Sequence, residues 1–168
     1  VKSALLIIDM QKVFMDSHQD RAELGSVVEH INHVAKIFRD AGHPVVFTKD
    51  IEGMTEENAA SYEIIDALPV AGSDRVVDKL NTNGFWETGL HELLKSENVG
   101  FVVVAGYSAE HCVTFTWQGA RERGYRACML QDGVLAYRPE ALSSLFRSRN
   151  FVSYPALEHF LGNGVSHG

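Results

Sequence analysis

Three side chains in this 168-residue sequence are able to do chemistry together: the carboxylate of Asp9, the amine of Lys79 and the thiol of Cys112. A cysteine nucleophile needs a base to take its proton and a nearby positive charge to favour the thiolate. An Asp beside a Lys stays ionised at neutral pH unless it is desolvated, and the ammonium steadies both anions. Each residue also has an inert reading. Free cysteines are mostly buried small hydrophobes, an Asp at a strand end often only satisfies loop N–H groups, and a Lys after a short strand is usually a solvated charge.

The elements around them favour the chemical reading. Val99 to Ala105 is an almost unbroken β-branched and aromatic run, as expected of a strand buried on both faces. Gly106 breaks it. Cys112, Val113, Thr116, Trp117 and Ala120 then recur at helical spacing up to Gly124, which places the thiol near a helix start, where free N–H groups and the helix dipole favour a negative sulfur. Ala4–Ile8 is a buried strand ending in Asp9, and the segment from Met10 to Asp20 reads as a loop. Leu24, Val27, Val28, Ile31, Val34, Ala35 and Phe38 mark a long amphipathic helix stopping at Gly42.

Pro44 to Thr48 is a second strand, residues 50–61 a polar surface excursion, and Tyr62 to Leu68 a turn or two of helix ended by Pro69. Arg75 to Asp78 is a third strand running into Lys79, and Asn81 to Gly84 a turn. Leu90, Leu93 and Leu94 mark a helix. Tyr125 to Leu130 is a fifth strand with a polar end at Gln131-Asp132-Gly133. Pro139 opens a helix whose buried stripe is Ala141, Leu142, Leu145 and Phe146. Asn150 to Tyr154 is a sixth strand, and Pro155 to Leu161 a closing helix. This alternation means an α/β fold with a parallel sheet and helices on both faces. Ligands in such sheets bind outside the carboxyl ends of the strands, and Asp9, Lys79 and the turn before Cys112 all lie at that edge. If strand three lies two strands from strand one, roughly 10 Å separates them, so Lys79 must reach inward along its stem.

One domain over residues 1–161 is expected, with a flexible Gly-rich tail over 162–168. A formal charge of -7 and the lack of a Lys/Arg cluster argue against a nucleic-acid partner. The first apolar run is too short to span a membrane. Cys112 and Cys128 make no disulfide framework, so a reducing, cytoplasmic setting is the simpler expectation. His30 and His33 sit three apart on the first long helix, without a third ligand to complete a metal site. His111 adjoins Cys112, but helical neighbours point in different directions, so it is not the base. Phe14, Phe85, Trp86 and Tyr107 flank the three reactive residues and are candidate pocket walls, with core or subunit-interface packing as the alternative. Gln11 suits holding a loop, Thr116 lies one turn after Cys112 and is a candidate contact of the thiol, and Cys128 packs inside a strand.

The segments Asp9-Met10-Gln11-x-x-Phe14, Val77-Asp78-Lys79, Gly106-Tyr107-Ser108-Ala109-Glu110-His111-Cys112-Val113, and Gly124-Tyr125 with Asp132-Gly133 occur in this order over nearly the whole chain. In this set the chain resembles the isochorismatase-like cysteine hydrolases. The resemblance implies a three-layer α-β-α sandwich, Rossmann-like, with a six-stranded parallel sheet in the order 3-2-1-4-5-6. It implies an Asp9, Lys79, Cys112 triad, a cis peptide at Tyr107-Ser108, and an oxyanion hole made by the backbone N–H groups of Ser108 and Cys112. Family members are commonly dimeric or larger, so a homo-oligomer acting on a small-molecule substrate is expected.

There are departures. Ser108 stands where the family usually has Thr, and Gly119 where it often has Asp. The nicotinamidase branch holds a metal with an Asp and closely following His residues after strand two. Here Asp50-Ile51-Glu52-Gly53 follows, and no His lies between His43 and His91, so no metal and no other cofactor is expected. True isochorismatases, which cleave a vinyl ether, do not need the Cys. Its presence favours hydrolysis of a C–N bond in a small amide, carbamoyl or ureido compound through a thioester. The rivals are a catalytically silent module of the same fold that binds a metabolite or a partner protein, and a thiol redox sensor.

Overall fold

Two apolar runs, Ala4–Ile8 and Val102–Ala105, are fully buried, and their pairing forms the middle of the molecule. In the computed structural model, which describes residues 1–16, 18 and 20–162, β1 (Lys2–Ile8) lies parallel to β4 (Val99–Tyr107) on one side and to β2 (Val45–Asp50) on the other. With β3 (Arg75–Lys79), β5 (Arg126–Leu135) and β6 (Phe151–Val152) they form one parallel sheet in the order β3-β2-β1-β4-β5-β6. The helices are α1 (Lys12–Met15), α2 (Arg21–Asp40), α3 (Leu90–Ser96), α4 (Thr114–Glu122), α5 (Glu140–Ser148) and α6 (Tyr154–Leu161), with a 3-10 turn at Ala59–Tyr62 and a π-helical turn at Ala109–Val113.

Side chains alternate across the strands, and each sheet face has its own core. Leu5, Ile7, Phe47, Val103 and Leu130 pack against the α2 stripe from Leu24 to Phe38 and against Leu157 of α6. Leu6, Ile8, Val46, Val104 and Met129 pack against Leu90 and Leu94 of α3, Trp117 and Ala120 of α4, and Leu145 of α5. The α-β-α sandwich and the strand order are those the family resemblance implies. No helix among the described residues is long and apolar enough to cross a membrane. Of the expected tail, only Gly162 falls within the described residues.

Local expectations differ from the structure in four places. The loop after Asp9 contains the single turn of α1. Residues 63–68 do not form a helix, because their backbone bonds to the chain after β1 instead. Lys12 N donates to Glu63 O at 2.9 Å, Ile65 N donates to Met10 O at 3.0 Å, and Ile64 bridges Gln11. β5 does not stop at its polar segment. Asp132 takes a left-handed φ of 58°, the pairing with β4 shifts register, and the strand resumes through buried Val134 and Leu135. In α5 only Leu145 is deeply buried, while Phe146 is 46% exposed and stacks on Phe151, because β6 is only two residues long and covers little of that face.

Candidate active site

Asp9 follows β1 directly and has a left-handed φ of 50°. A non-glycine residue holds that conformation only where its surroundings over-determine it, and they do so here. Its N–H donates to Thr48 O at 3.2 Å, its carbonyl accepts from Gln11 N at 2.8 Å, and Oδ1 accepts from Thr48 Oγ1 at 2.8 Å. Lys79 ends β3, across β2 from Asp9, and its side chain lies inside the protein rather than in solvent. The stem spans the gap left by one intervening strand. Its Nζ lies 2.8 Å from Asp9 Oδ2, 3.3 Å from Asp50 Oδ2, 3.1 Å from Asn81 O and 3.5 Å from Cys112 Sγ.

Cys112 sits in the π-helical turn between β4 and α4. The turn hangs from one atom, Ser108 O, which accepts from both His111 N and Val113 N. Gly106 is required just before it, with φ at 109°, because a Cβ there would lie 2.2 Å from Ile8 O. The Tyr107–Ser108 peptide bond is cis. Buried Ser108 donates its N–H to no acceptor among the described residues. Asp9, Lys79 and Cys112, far apart in the sequence, thus meet in one cluster.

Electrostatics depart from the helix-start expectation. Burial pushes the Cys112 thiol up, the charge of Asp9 pushes it further, and Lys79 offsets only part of this, leaving the thiol at about 12. Desolvation outweighs what a turn of helix contributes to a thiolate. Burial also holds Asp9 above its ordinary value, against the lowering effects of Lys79, Thr48 and the thiol. Burial opposes the charge on Lys79 too, but Asp9, Cys112 and Asp50 outweigh it and hold the ammonium above its ordinary value. Lys79 Nζ lies 2.8 Å from Asp9 Oδ2, the carboxylate oxygen that Thr48 does not engage. The donor atoms of Asp9, Asp50 and Cys112 lie within 4.8 Å of one another, a spacing that suits a cation. Lys79 already sets a positive charge against all three, so the set does not fit a divalent metal ion.

Thr48 and Asp50 were not singled out in the sequence, although both belong to the β2 run that ends beside Asp9 and Lys79. Their signal was a polar end to an apolar strand at the active edge. Gln11 is fully buried and holds a loop, as expected: Nε2 donates to Asp50 O and Tyr62 O, and Oε1 accepts from Asp50 N. Thr116 Oγ1 accepts from Gly84 N at 2.9 Å and pins the turn after Lys79. Glu110 accepts from Tyr137 N and Arg138 N and ties down the loop after β5, while His111 is exposed. At Gly119 a Cβ would meet the Asn83 side chain at 2.4 Å, so the missing side chain makes room for Asn83, whose Oδ1 accepts from Phe85 N.

The four candidate wall residues divide. Phe14 and Tyr107 pack ring to ring at 5.9 Å, both half-buried, and Trp86 is 56% exposed. Phe85 is buried in the α3–α4 core, stacked on Tyr125 and covered by Arg123. Its placement corrects the pocket reading, because Tyr125 lies at the start of β5, the opposite edge from Cys112. Cys128 is buried in the α2-side core. His33 pairs with Glu158 and both histidines pack on Tyr154, which joins α2 to α6.

Comparison with known proteins bears on the fold and the family. The isochorismatase domain model matches residues 3–150. Streptothricin hydrolase of Streptomyces noursei is 28% identical over 137 residues, covering 80% of this chain and 50% of that protein. The ureidoacrylate amidohydrolase RutB of Pseudomonas syringae pv. syringae is 22% identical, covering 91% of this chain and 79% of the relative. The crystal structure of N-carbamoylsarcosine amidase from Thermoplasma acidophilum superposes with a TM-score of 0.77 at 27% identity, covering 91% of this chain and 95% of that one.

Proposed function

The chain belongs to the isochorismatase family, and on that premise we propose that it is a cysteine-dependent hydrolase of a C–N bond in a small amide, carbamoyl or ureido compound. The observation that carries this reading is Lys79 Nζ lying within 3.5 Å of both Asp9 Oδ2 and Cys112 Sγ inside one buried cluster. Three relatives named as a hydrolase, an amidohydrolase and an amidase support the C–N class.

In this reading Cys112 enters as a thiol. Its proton passes to Asp9 Oδ2 as sulfur attacks the carbonyl carbon, and the carbonyl electron pair moves to oxygen. The N–H groups of Ser108 and Cys112 hold that oxyanion. Asp9 returns the proton to the leaving nitrogen, which departs as an amine or ammonia and leaves a thioester. Asp9 then deprotonates a water molecule that attacks the thioester, and the thiol reforms. Lys79 keeps Asp9 anionic and offsets the charge arriving on sulfur. Free thiols at Cys112 and Cys128 suit a reducing cytoplasmic setting.

The raised thiol gives the silent-module reading a specific footing, and a redox sensor a poor one, since Cys128 is also buried and held at about 12. One variant separates catalysis from mere reactivity. Asp9→Asn removes a charge that raises the thiol, so alkylation of Cys112 by iodoacetamide speeds up. The same variant loses the base, so ammonia release from a panel of carbamoyl amines, ureido acids and simple amides falls by on the order of 10^4. Wild-type protein that hydrolyses none of the panel and forms no acyl adduct at Cys112 by mass spectrometry overturns the hydrolase reading in favour of the binding module.

A further inference from the structure

β2 ends in Asp50, which lies opposite Lys79 in the register with β3. Every polar group of Asp50 is engaged. Its N–H donates to Gln11 Oε1 at 2.8 Å and its carbonyl accepts from Gln11 Nε2 at 2.9 Å. Oδ1 accepts from Glu52 N at 2.9 Å, and Oδ2 accepts from Lys79 Nζ at 3.3 Å. The first three bonds are what a loop following a strand needs. The fourth is not, because Asp9 already supplies Lys79 with a buried counter-charge at 2.8 Å.

The cluster therefore holds two carboxylates around one ammonium, with the sulfur as a third neighbour; donor atoms of all three lie within 4.8 Å of one another. The charged groups around the sulfur are Asp9, just after β1, Asp50 at the end of β2 and Lys79 at the end of β3, and the Tyr107 phenol of β4 lies within electrostatic reach of it. A resting thiolate would be a third anion sharing a single cation. We infer that Asp50 is a positioning residue that shares the Lys79 ammonium with Asp9 and so leaves less of its charge for the sulfur 3.5 Å away, so that Cys112 rests as a protected thiol and gives up its proton only to Asp9 during attack. This rests on the hydrolase reading for where the sulfur goes next, but its test needs no substrate.

The test is the rate of iodoacetamide alkylation at Cys112 across about pH 7 to 10, read by mass spectrometry with Cys128 as the internal control. Asp50→Asn keeps an oxygen acceptor for Glu52 N and removes only the charge. Its Cys112 rate is expected to rise about tenfold at a given pH on the rising limb, a displacement of about one pH unit. Asp50→Glu, which restores the charge, is expected to follow the wild-type profile. Asp50→Ser is a second charge-removing variant should the Asn protein not fold.

A purely structural role would lower the melting temperature and leave the Cys112 profile in place, and that result overturns the inference. So does equal acceleration at Cys112 and Cys128, which reports loosening of the whole fold. Protein that hydrolyses no amide but shows the displaced profile loses only the hydrolase reading. Active protein with an unmoved profile loses only the role of Asp50.

Discussion

Replacing Lys79 with Met removes a cation whose side chain has no solvent exposure and leaves Asp9 buried without its partner. At 2.8 Å, and with an effective dielectric constant of about 20, the lost attraction is about 6 kcal/mol. Removal of one member of a buried pair costs about 3–5 kcal/mol once relaxation is allowed for. In a domain of this length each kcal/mol moves the midpoint by about 2–4 °C, so the variant should melt about 6–20 °C lower near neutral pH.

The deficit should depend on pH, with a sign fixed by Asp9. Burial already holds this carboxyl above its ordinary value, and Lys79 is the strongest influence lowering it. Without Lys79 it rises further. A carboxyl raised in the folded state binds its proton more tightly folded than unfolded, so stability falls as pH climbs from the unfolded value through the folded one. Lys79→Met should therefore lose least near pH 4–5 and most near pH 8. Adding Asp9→Asn should recover most of the loss and remove the pH dependence. Thermal unfolding followed by circular dichroism at the two pH values reads all three proteins. A loss under about 1 kcal/mol at pH 8, an equal loss at both pH values, or a double variant no better than the single one would refute the buried-pair account.

Two further substitutions separate catalytic support from packing. Thr48→Val removes the hydrogen bond to Asp9 Oδ1, at a cost of about 1–3 kcal/mol, and raises the carboxyl further, so the acid limb of the hydrolysis profile should move to higher pH; an unmoved limb would remove Thr48 from the site. Phe85→Ala should cost about 3–5 kcal/mol with kcat little changed. Trp86→Ala should leave stability within about 0.5 kcal/mol while raising KM, and steady-state kinetics beside melting curves would expose a reversal of the two.

The order of strands and helices, and the sheet edge at which Asp9, Lys79 and Cys112 meet, were legible in the sequence. Such features are set by local patterns: β-branched runs, Gly106 at a break, helical spacing after Cys112, and a carboxylate or amine where an apolar run stops. Local pattern is overridden where a segment bonds to a distant partner instead of to itself. Residues 63–68 give up helix to pair with the chain after Asp9, β5 passes through a polar bulge because β4 continues beside it, and Phe85 turns from the site to stack on Tyr125. The protonation of the thiol is likewise a tertiary property. Helix placement alone favours a thiolate, whereas burial and the Asp9 carboxylate favour the thiol. Sequence determined which groups reach the active edge; the tertiary structure decided which charge each carries there, because desolvation and Coulomb interactions depend on distances across β1, β2, β3 and the turn after β4 that no local pattern encodes.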